Sequence, residues 1–365
     1  MSKFALRPDL DEKLKRFDRE VLRHAHFEEL TAKFKEQIFY PRDTLILSLI
    51  GPTGVGKSCL IERLVRQVTE VQLQRLAETP GIYPIISIKI GQQATSIDLW
   101  RALYTEILTA LEETALAFQR VPKVRNLSQL RSAAIQALKA RAPKAVIVDE
   151  AQHLAITTGG QQMLKQYNSI KSLADITGIP FLLVGPYELH TYLATECQII
   201  RRSSFVHFDA YHWGRDEDRK KFKQAVLQIQ HLLAEIFSLK ADLLPNAEKL
   251  YSHCLGCVGS LTQIVRNATV AAVLHDQATL GLAQIESYAP PLSERIKMQE
   301  EIVAGRLRML PPSDGENVLQ EMLSAEPRKE EYMKPVQVKT QTRRRGRPGQ
   351  RLPHRDLVGE VTYAS

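Results

Sequence analysis

The stretch Gly51-Pro52-Thr53-Gly54-Val55-Gly56-Lys57-Ser58 restricts the folds open to this chain more than any other. It follows the apolar run Leu45 to Ile50 and leads into a helical pattern at Cys59. A strand, a glycine-rich loop and a helix in that order form a cradle for polyphosphate. Gly51, Gly54 and Gly56 permit backbone angles that turn successive N–H groups inward, and the helix directs the positive end of its dipole at the same charge. Gly51, Pro52, Thr53, Gly54, Val55, Gly56, Lys57, Ser58 and Cys59 are therefore the candidate nucleotide-binding residues. Lys57 is expected to reach the β- and γ-phosphates. Ser58 is expected to offer its hydroxyl to Mg²⁺, which needs one or two protein ligands because phosphates and waters complete its octahedron.

The second informative run is Ala145-Val146-Ile147-Val148-Asp149-Glu150. An apolar strand ending in two acids says little alone. Roughly 90 residues after a phosphate loop, it reads as the acidic strand of an ATPase. Asp149 is then the Mg²⁺-side carboxylate and Glu150 the base that polarises the attacking water. No Asn-Lys-x-Asp guanine-reading motif occurs, which favours ATP.

Tyr83 to Ile90, Phe181 to Pro186 and Phe205 to Phe208 read as further strands, with helices from Ser96 to about Leu116, Leu127 to Ala140 and around Gln162 to Ala174. Strands separated by helices imply right-handed crossovers, and hence a parallel sheet covered on both faces. Its carboxyl-end loops would share one crevice. Ahead of it, Leu10, Leu14, Phe17, Val21 and Leu22, then Phe27, Leu30, Phe34 and Ile38, predict a helical lead-in to the core. Phe27 is a candidate neighbour of the adenine, with plain core packing as the alternative. From Trp213 the strands stop, and helices over Phe222 to Phe237, Ala247 to Cys254 and Leu261 to Leu274 predict a small lid. Beyond about Gly281 the pattern dissolves, and core packing is expected to end there.

Charge points to a polyanion only where it clusters, since a net +8 also serves solubility. The basic loop with Arg120, Lys123 and Arg125 is either a solvated surface or a phosphate contact. Between Lys339 and Arg355 there are six arginines and no acid, among them Arg343, Arg344, Arg345 and Arg347. Such a block is expected to be disordered alone. Arg345-Gly346-Arg347-Pro348 resembles the core of an AT-hook, whose thin backbone lets arginines enter a narrow minor groove. Arg201 and Arg202 are either ordinary surface charge or, in a ring or filament, a finger that reaches a neighbour's γ-phosphate. The four cysteines are too few and scattered for a disulfide framework. His253-Cys254-Leu255-Gly256-Cys257 has a metal-ligand spacing but no second pair, so buried helix-turn cysteines are the competing reading. No run approaches the roughly 18 apolar residues of a membrane span. No membrane association and a cytoplasmic, nucleoid-associated location in a bacterium are expected.

Taken together, these elements resemble the TnsC/TniB family of AAA+ transposition regulators, related more distantly to MuB and IstB. The resemblance covers about Leu30 to His275. It rests on Gly51 to Ser58, Val148-Asp149-Glu150-Ala151-Gln152-His153, Leu183-Val184-Gly185 with Glu188-Leu189, Arg201-Arg202, Trp213-Gly214-Arg215-Asp216 and Gly259-Ser260-Leu261. It implies an α/β fold, a P-loop AAA+ parallel sheet with helices on both faces, followed by a helical lid and a basic tail. The expected division is a helical lead-in over 1–40, the ATPase core over 41–210, the lid over 211–280, and a linker with the arginine-rich tail over 281–365. It further implies ATP and Mg²⁺ as ligands, assembly of the chain with itself into rings or filaments on double-stranded DNA, and a link between a target-selecting protein and the transposase. ATP hydrolysis, slow and regulatory, would then drive disassembly. Asp149, Glu150 and Arg201 or Arg202 would act in that hydrolysis. Two departures stand out: Pro186 replaces the usual hydroxyl or amide sensor, and Ser260 follows Gly259 where many relatives have arginine. A loader or regulator outside transposition, or an ATP-assembled scaffold with incidental hydrolysis, would share the core motifs.

Overall fold

The computed structural model describes residues 8–20, 25–41, 45–79, 81–91, 95–111, 127–156, 160–194, 203–309 and 320 of the 365. Five strands, β1 (Ile46–Ile50), β2 (Ile86–Lys89), β3 (Val146–Asp149), β4 (Phe181–Gly185) and β5 (Ser203–His207), form a parallel sheet in the order β2-β3-β4-β1-β5. β1 and β4 are buried at every position, as strands covered on both faces must be. β2, at an edge, alternates buried Ile86 and Ile88 with exposed Ser87 and Lys89. The register pairs Ile50 with both Gly185 and His207, and Val148 with Leu183. The phosphate loop, the Asp149-Glu150 pair and Gly185-Pro186 consequently leave the sheet along one edge.

Among the described residues, the helices up to β4 are α1 (Pro8–Glu20), α2 (Ala25–Phe39), α3 (Lys57–Glu78), α4 (Ser96–Ala110), α5 (Leu127–Arg141), the one-turn α6 (His153–Ile156) and α7 (Gly160–Thr177). The pleat divides the central strands between two cores. Ile46 and Ile50 join Leu99, Leu103, Leu138 and Leu173 on one face, whereas Leu47 and Leu49 join Phe34, Ile38, Leu60, Leu64 and Val68 on the other. Both faces are therefore covered.

After β4, α8 (Tyr187–Leu193) continues the core. The chain beyond β5 then builds a third cluster from α9 (Asp216–Phe237), α10 (Ala247–Cys254), α11 (Val258–Leu274) and α12 (Leu282–Glu286). α1 belongs to this cluster: Leu10, Leu14 and Phe17 pack with Phe222 and Leu233, and the Phe17 and Phe237 rings meet at 5.8 Å. The predicted lead-in is thus divided, with α1 on the lid and α2 on the sheet. Trp213, from the family-like Trp-Gly-Arg-Asp run, stacks near Phe222 and Tyr251 at 6.2 and 5.1 Å. His253-Cys254-Leu255-Gly256-Cys257 is a helix turn. Leu255 caps α10 in the left-handed region, both cysteines are buried, and His253 meets Glu286 at 3.2 Å. Among the described residues no group of three or more His, Cys, Asp or Glu is arranged to hold a metal.

The expected end of packing near Gly281 is corrected by α12 and by α13 (Leu292–Met309). The pattern misleads because α13 hides little apolar surface. Ile302 and Gly305 are buried, while Leu292, Ile296, Val303 and Leu307 are exposed. Its attachment is polar and steric. Arg306 Nε lies 2.8 Å from each carboxylate oxygen of Asp209 and its Nη2 donates to the Ala210 carbonyl at 2.6 Å. A Cβ on Gly305 would overlap the Tyr187 ring. Arg306 and Asp209 keep only 13% and 21% of their side-chain surface, so Arg306→Ala strands a buried carboxylate. We expect that variant to lose about 3 kcal/mol in urea unfolding. Arg306→Lys should recover little, because an ammonium cannot reproduce the forked contact.

Candidate functional site

The loop after β1 adopts the conformation its glycines allow. Gly54 and Gly56 stand at φ +79° and +111°, and Gly56 caps α3, whose first residue is Lys57. Side chains are resisted there by contact as well as by angle: a Cβ at Gly54 would overlap the Ser260 hydroxyl, and one at Gly56 would come within 2.9 Å of the Phe27 ring. Lys57 Nζ donates to the carbonyls of Gly51 and Pro52 at 2.8 and 2.9 Å, holding the ammonium over the loop. Burial draws the lysine below its ordinary pKa, opposed by Cys257, Glu150, Glu301 and Asp149.

The end of β3 faces the same space. Asp149 Oδ1 accepts the Glu150 backbone N–H at 2.9 Å, and burial raises the Asp149 carboxyl above the usual range against that hydrogen bond. Glu150 has φ +56°, a left-handed conformation that costs a non-glycine residue about 1 kcal/mol. That turn re-aims its carboxylate. Gln152 Nε2 donates to Glu150 Oε2 at 2.6 Å, and Lys89 Nζ stands 3.7 Å from Oε1. Both oxygens of the candidate base are thereby engaged, by a residue two positions on and by one from the edge strand.

A cavity of about 520 Å³ is lined by Thr53, Gly54, Gly56, Lys57, Ser58 and Cys59, by Asp149, Glu150 and Gln152, and by Gly185 and Pro186. Pro186 precedes α8 and brings no side-chain donor to this wall. Gly259, Ser260, Gln263 and Asn267 of α11, with Tyr288 and Pro290, close the lid side. α11 sits directly on the loop: Ser260 N–H donates to the Gly54 carbonyl at 2.8 Å, and a Cβ on Gly259 would come within 2.6 Å of the same oxygen. The glycine of the Gly-Ser-Leu run is therefore a close-approach residue. A second cavity of about 280 Å³ shares Gly56, Cys59, Gly259 and Gln263 and adds Phe27, Glu62, Thr262 and the Asp18–Arg266 pair at 3.3 Å.

Gly54, Gly56, Lys57, Ser58, Asp149 and Glu150, brought together here, were all legible as motifs. Lys89 was not, because nothing in the Tyr83 to Ile90 strand singles it out and its place beside Glu150 depends on strand order. Arg120, Lys123, Arg125, Arg201, Arg202, Arg343, Arg344, Arg345 and Arg347 lie outside the described residues.

A parallel sheet with β4 between the loop strand and the acidic strand, followed by a helical part seated on the loop, is the P-loop AAA+ fold. Residues 42–193 match the family model described as the AAA domain, a span that contains both motifs. Among solved structures, the chain is similar to the ORC2 protein of Aeropyrum pernix in its ADPNP–ADP complexes, at 14% identity over 74% of this chain and 69% of that one, TM-score 0.49. It is also similar to the ORC1 protein of the same organism in complex with DNA, at 16% identity over 82% and 71%, TM-score 0.47. A Walker-type ATPase of Pyrococcus abyssi is similar at 16% identity over 77% and 74%, TM-score 0.44. No curated protein matches the chain.

Proposed function

We propose that this chain binds and hydrolyses ATP as a switch that governs its own assembly on duplex DNA. The observation that carries the ATPase reading is the convergence of Lys57, Ser58, Asp149 and Glu150 on one cavity at the carboxyl edge of the sheet. The polyphosphate would lie against the loop N–H groups, with the base toward the adjoining cavity beside Phe27. The Ser58 hydroxyl and the Asp149 carboxylate share a wall of the first cavity, a donor pair suited to Mg²⁺. Bound there, the ion would neutralise charge on the phosphate oxygens. Glu150 would orient the attacking water.

The DNA part of the reading is supported by the arginine-rich stretch from Lys339 to Arg355 and by the net charge of +8. The family-like motifs supply its finer form: a transposition regulator of the TnsC/TniB kind, working in the cytoplasm on the nucleoid and joining a target selector to a transposase. Phosphate release measured with and without duplex DNA tests the switch, with DNA-dependent turnover expected. Electron microscopy with DNA and a nonhydrolysable ATP analogue should show rings or filaments, whereas a nucleotide-bound monomer away from DNA would contradict assembly. Truncation after Lys339 should weaken DNA binding and flatten its salt dependence. Unchanged binding would remove the tail from the interface. The engagement of both Glu150 oxygens favours one second reading, an ATP-assembled scaffold with incidental hydrolysis, for which turnover would stay low even on DNA.

A further inference from the structure

The turn after β3 sets a glutamine beside the candidate base. Ala151 N–H donates to the Val184 carbonyl at 2.9 Å and His153 N–H to the Glu150 carbonyl at 3.0 Å, so the backbone on either side of Gln152 is fixed against β4 and within its own turn. The Gln152 side chain lies on the cavity wall and spans from Glu150 to Gly185. An ionised carboxylate only accepts, so the amide presents its NH₂ to Glu150 Oε2, at 2.6 Å, and its oxygen to Gly185. A Cβ on Gly185 would come within 2.9 Å of that oxygen, so glycine leaves the room that the amide takes. Gln152 Oε1 is buried there and has no hydrogen-bond partner among the described residues. A buried acceptor without a partner is unfavourable where it stands.

We propose that Gln152 is a water-positioning residue: its Oε1 accepts one hydrogen of the attacking water while Glu150 accepts the other. The role presupposes the nucleotide reading above. A water held by the base alone can swing about that one hydrogen bond, and its lone pair then points at the terminal phosphorus only part of the time. A second acceptor fixes it. Other groups on this wall are engaged or lack an acceptor: Asp149 Oδ1 holds the Glu150 N–H, the Gly185 carbonyl takes the Gly51 N–H at 3.4 Å, and Pro186 carries no polar side-chain atom. A turn about the terminal torsion of Gln152, which is soft, brings Oε1 toward Glu150 Oε2. Water between the two oxygens then takes the place of the direct bond, so one movement frees the base and completes the grip on the nucleophile. The water oxygen bonds to the terminal phosphorus as the bond to the bridging oxygen breaks. The bonding pair leaves with the diphosphate, one water proton passes to Glu150, and the other stays on the phosphate released.

Single-turnover hydrolysis of ATP with duplex DNA present, and equilibrium binding of a nonhydrolysable ATP analogue, test this on the full chain as wild type, Gln152→Ala and Gln152→Glu. Gln152→Ala is expected to slow the chemical step about 10- to 100-fold, the loss of one transition-state hydrogen bond, with analogue affinity within about twofold of wild type and an unchanged thermal melt. Gln152→Glu restores an acceptor but sets a second carboxylate beside the base. Like charge raises the pKa of the pair, so its rate–pH profile should move to higher pH and there overtake Gln152→Ala. Should Gln152→Ala melt early, that profile still decides. A Gln152→Ala chain that hydrolyses as fast as wild type or faster would overturn the assignment, since the amide would then only restrain Glu150. An equal loss of rate and affinity, or a Gln152→Glu profile coincident with wild type, would overturn it as well. The nucleotide site stands in each of those cases. Failure of the wild-type chain to bind the analogue or to release phosphate would instead overturn the ATPase reading, and the role of Gln152 with it.

Discussion

Lys57→Ala is expected to lower ATP affinity by at least about 100-fold, because charge-assisted hydrogen bonds contribute roughly 1.5–3 kcal/mol each and this ammonium would serve two phosphates. The existing geometry supports that size of effect. Nζ sits 2.8 and 2.9 Å from the Gly51 and Pro52 carbonyls, in surroundings buried enough to draw the lysine below its ordinary pKa. Phosphate oxygens entering this loop would meet a partly desolvated cation, where electrostatic attraction is strongest. The fold should survive, since alanine suits the first turn of α3 and the loop's shape is maintained by Gly54, Gly56 and the contact with α11. Thermal melting offers a direct check. Wild-type protein should gain stability as ATP is added and the variant should not, because a ligand that binds the folded state stabilises it by mass action. A variant that still responds to ATP as wild type does would show that the phosphates lie elsewhere.

Glu150→Gln should separate binding from chemistry. Loss of a positioned general base costs about 10²- to 10⁴-fold in turnover, while the shape of the wall and the loop remains. ATP affinity should therefore stay close to wild type and phosphate release should collapse. Assemblies on DNA, if hydrolysis dismantles them, should persist. The candidate base is set by a left-handed backbone at φ +56°, the Gln152 amide at 2.6 Å and the Lys89 ammonium at 3.7 Å. In the proposed hydrolysis Glu150 would exchange part of this company for a water. Single-turnover measurement with excess protein would read the chemical step alone, and wild-type rates in the variant would place the base on another residue.

Which parts of this site were legible in advance follows from how local each feature is. The phosphate loop and the acidic strand depend on backbone angles and residue order within eight positions or fewer, so their chemistry can be read from Gly51 to Ser58 and from Ala145 to Glu150 without a fold. The parallel sheet was legible too, because strands alternating with helices leave few other connections. Lys89 and Gln152 acquire their role only when β2 lies beside β3 and the Asp149-Glu150 turn folds back, which periodicity does not reveal. α13 was missed for a different reason. Its solvent face carries more of its apolar residues than its buried face, so the usual periodic signal is inverted, and its attachment depends on one glycine and one ion pair.

The sequence by itself determined a loop able to cradle polyphosphate and a strand able to present two carboxylates, since both are properties of short segments of backbone. The tertiary structure decided what surrounds them. α1 and α2, two successive periodic groups, pack in different cores because the contiguous apolar surface each helix can cover lies in the lid for one and on the sheet for the other. Gly259 and Ser260 close on Gly54 through contacts between residues roughly 200 positions apart. No local preference specifies such approaches. They arise when apolar faces are buried together and the backbone polar groups left at the seam find partners across it.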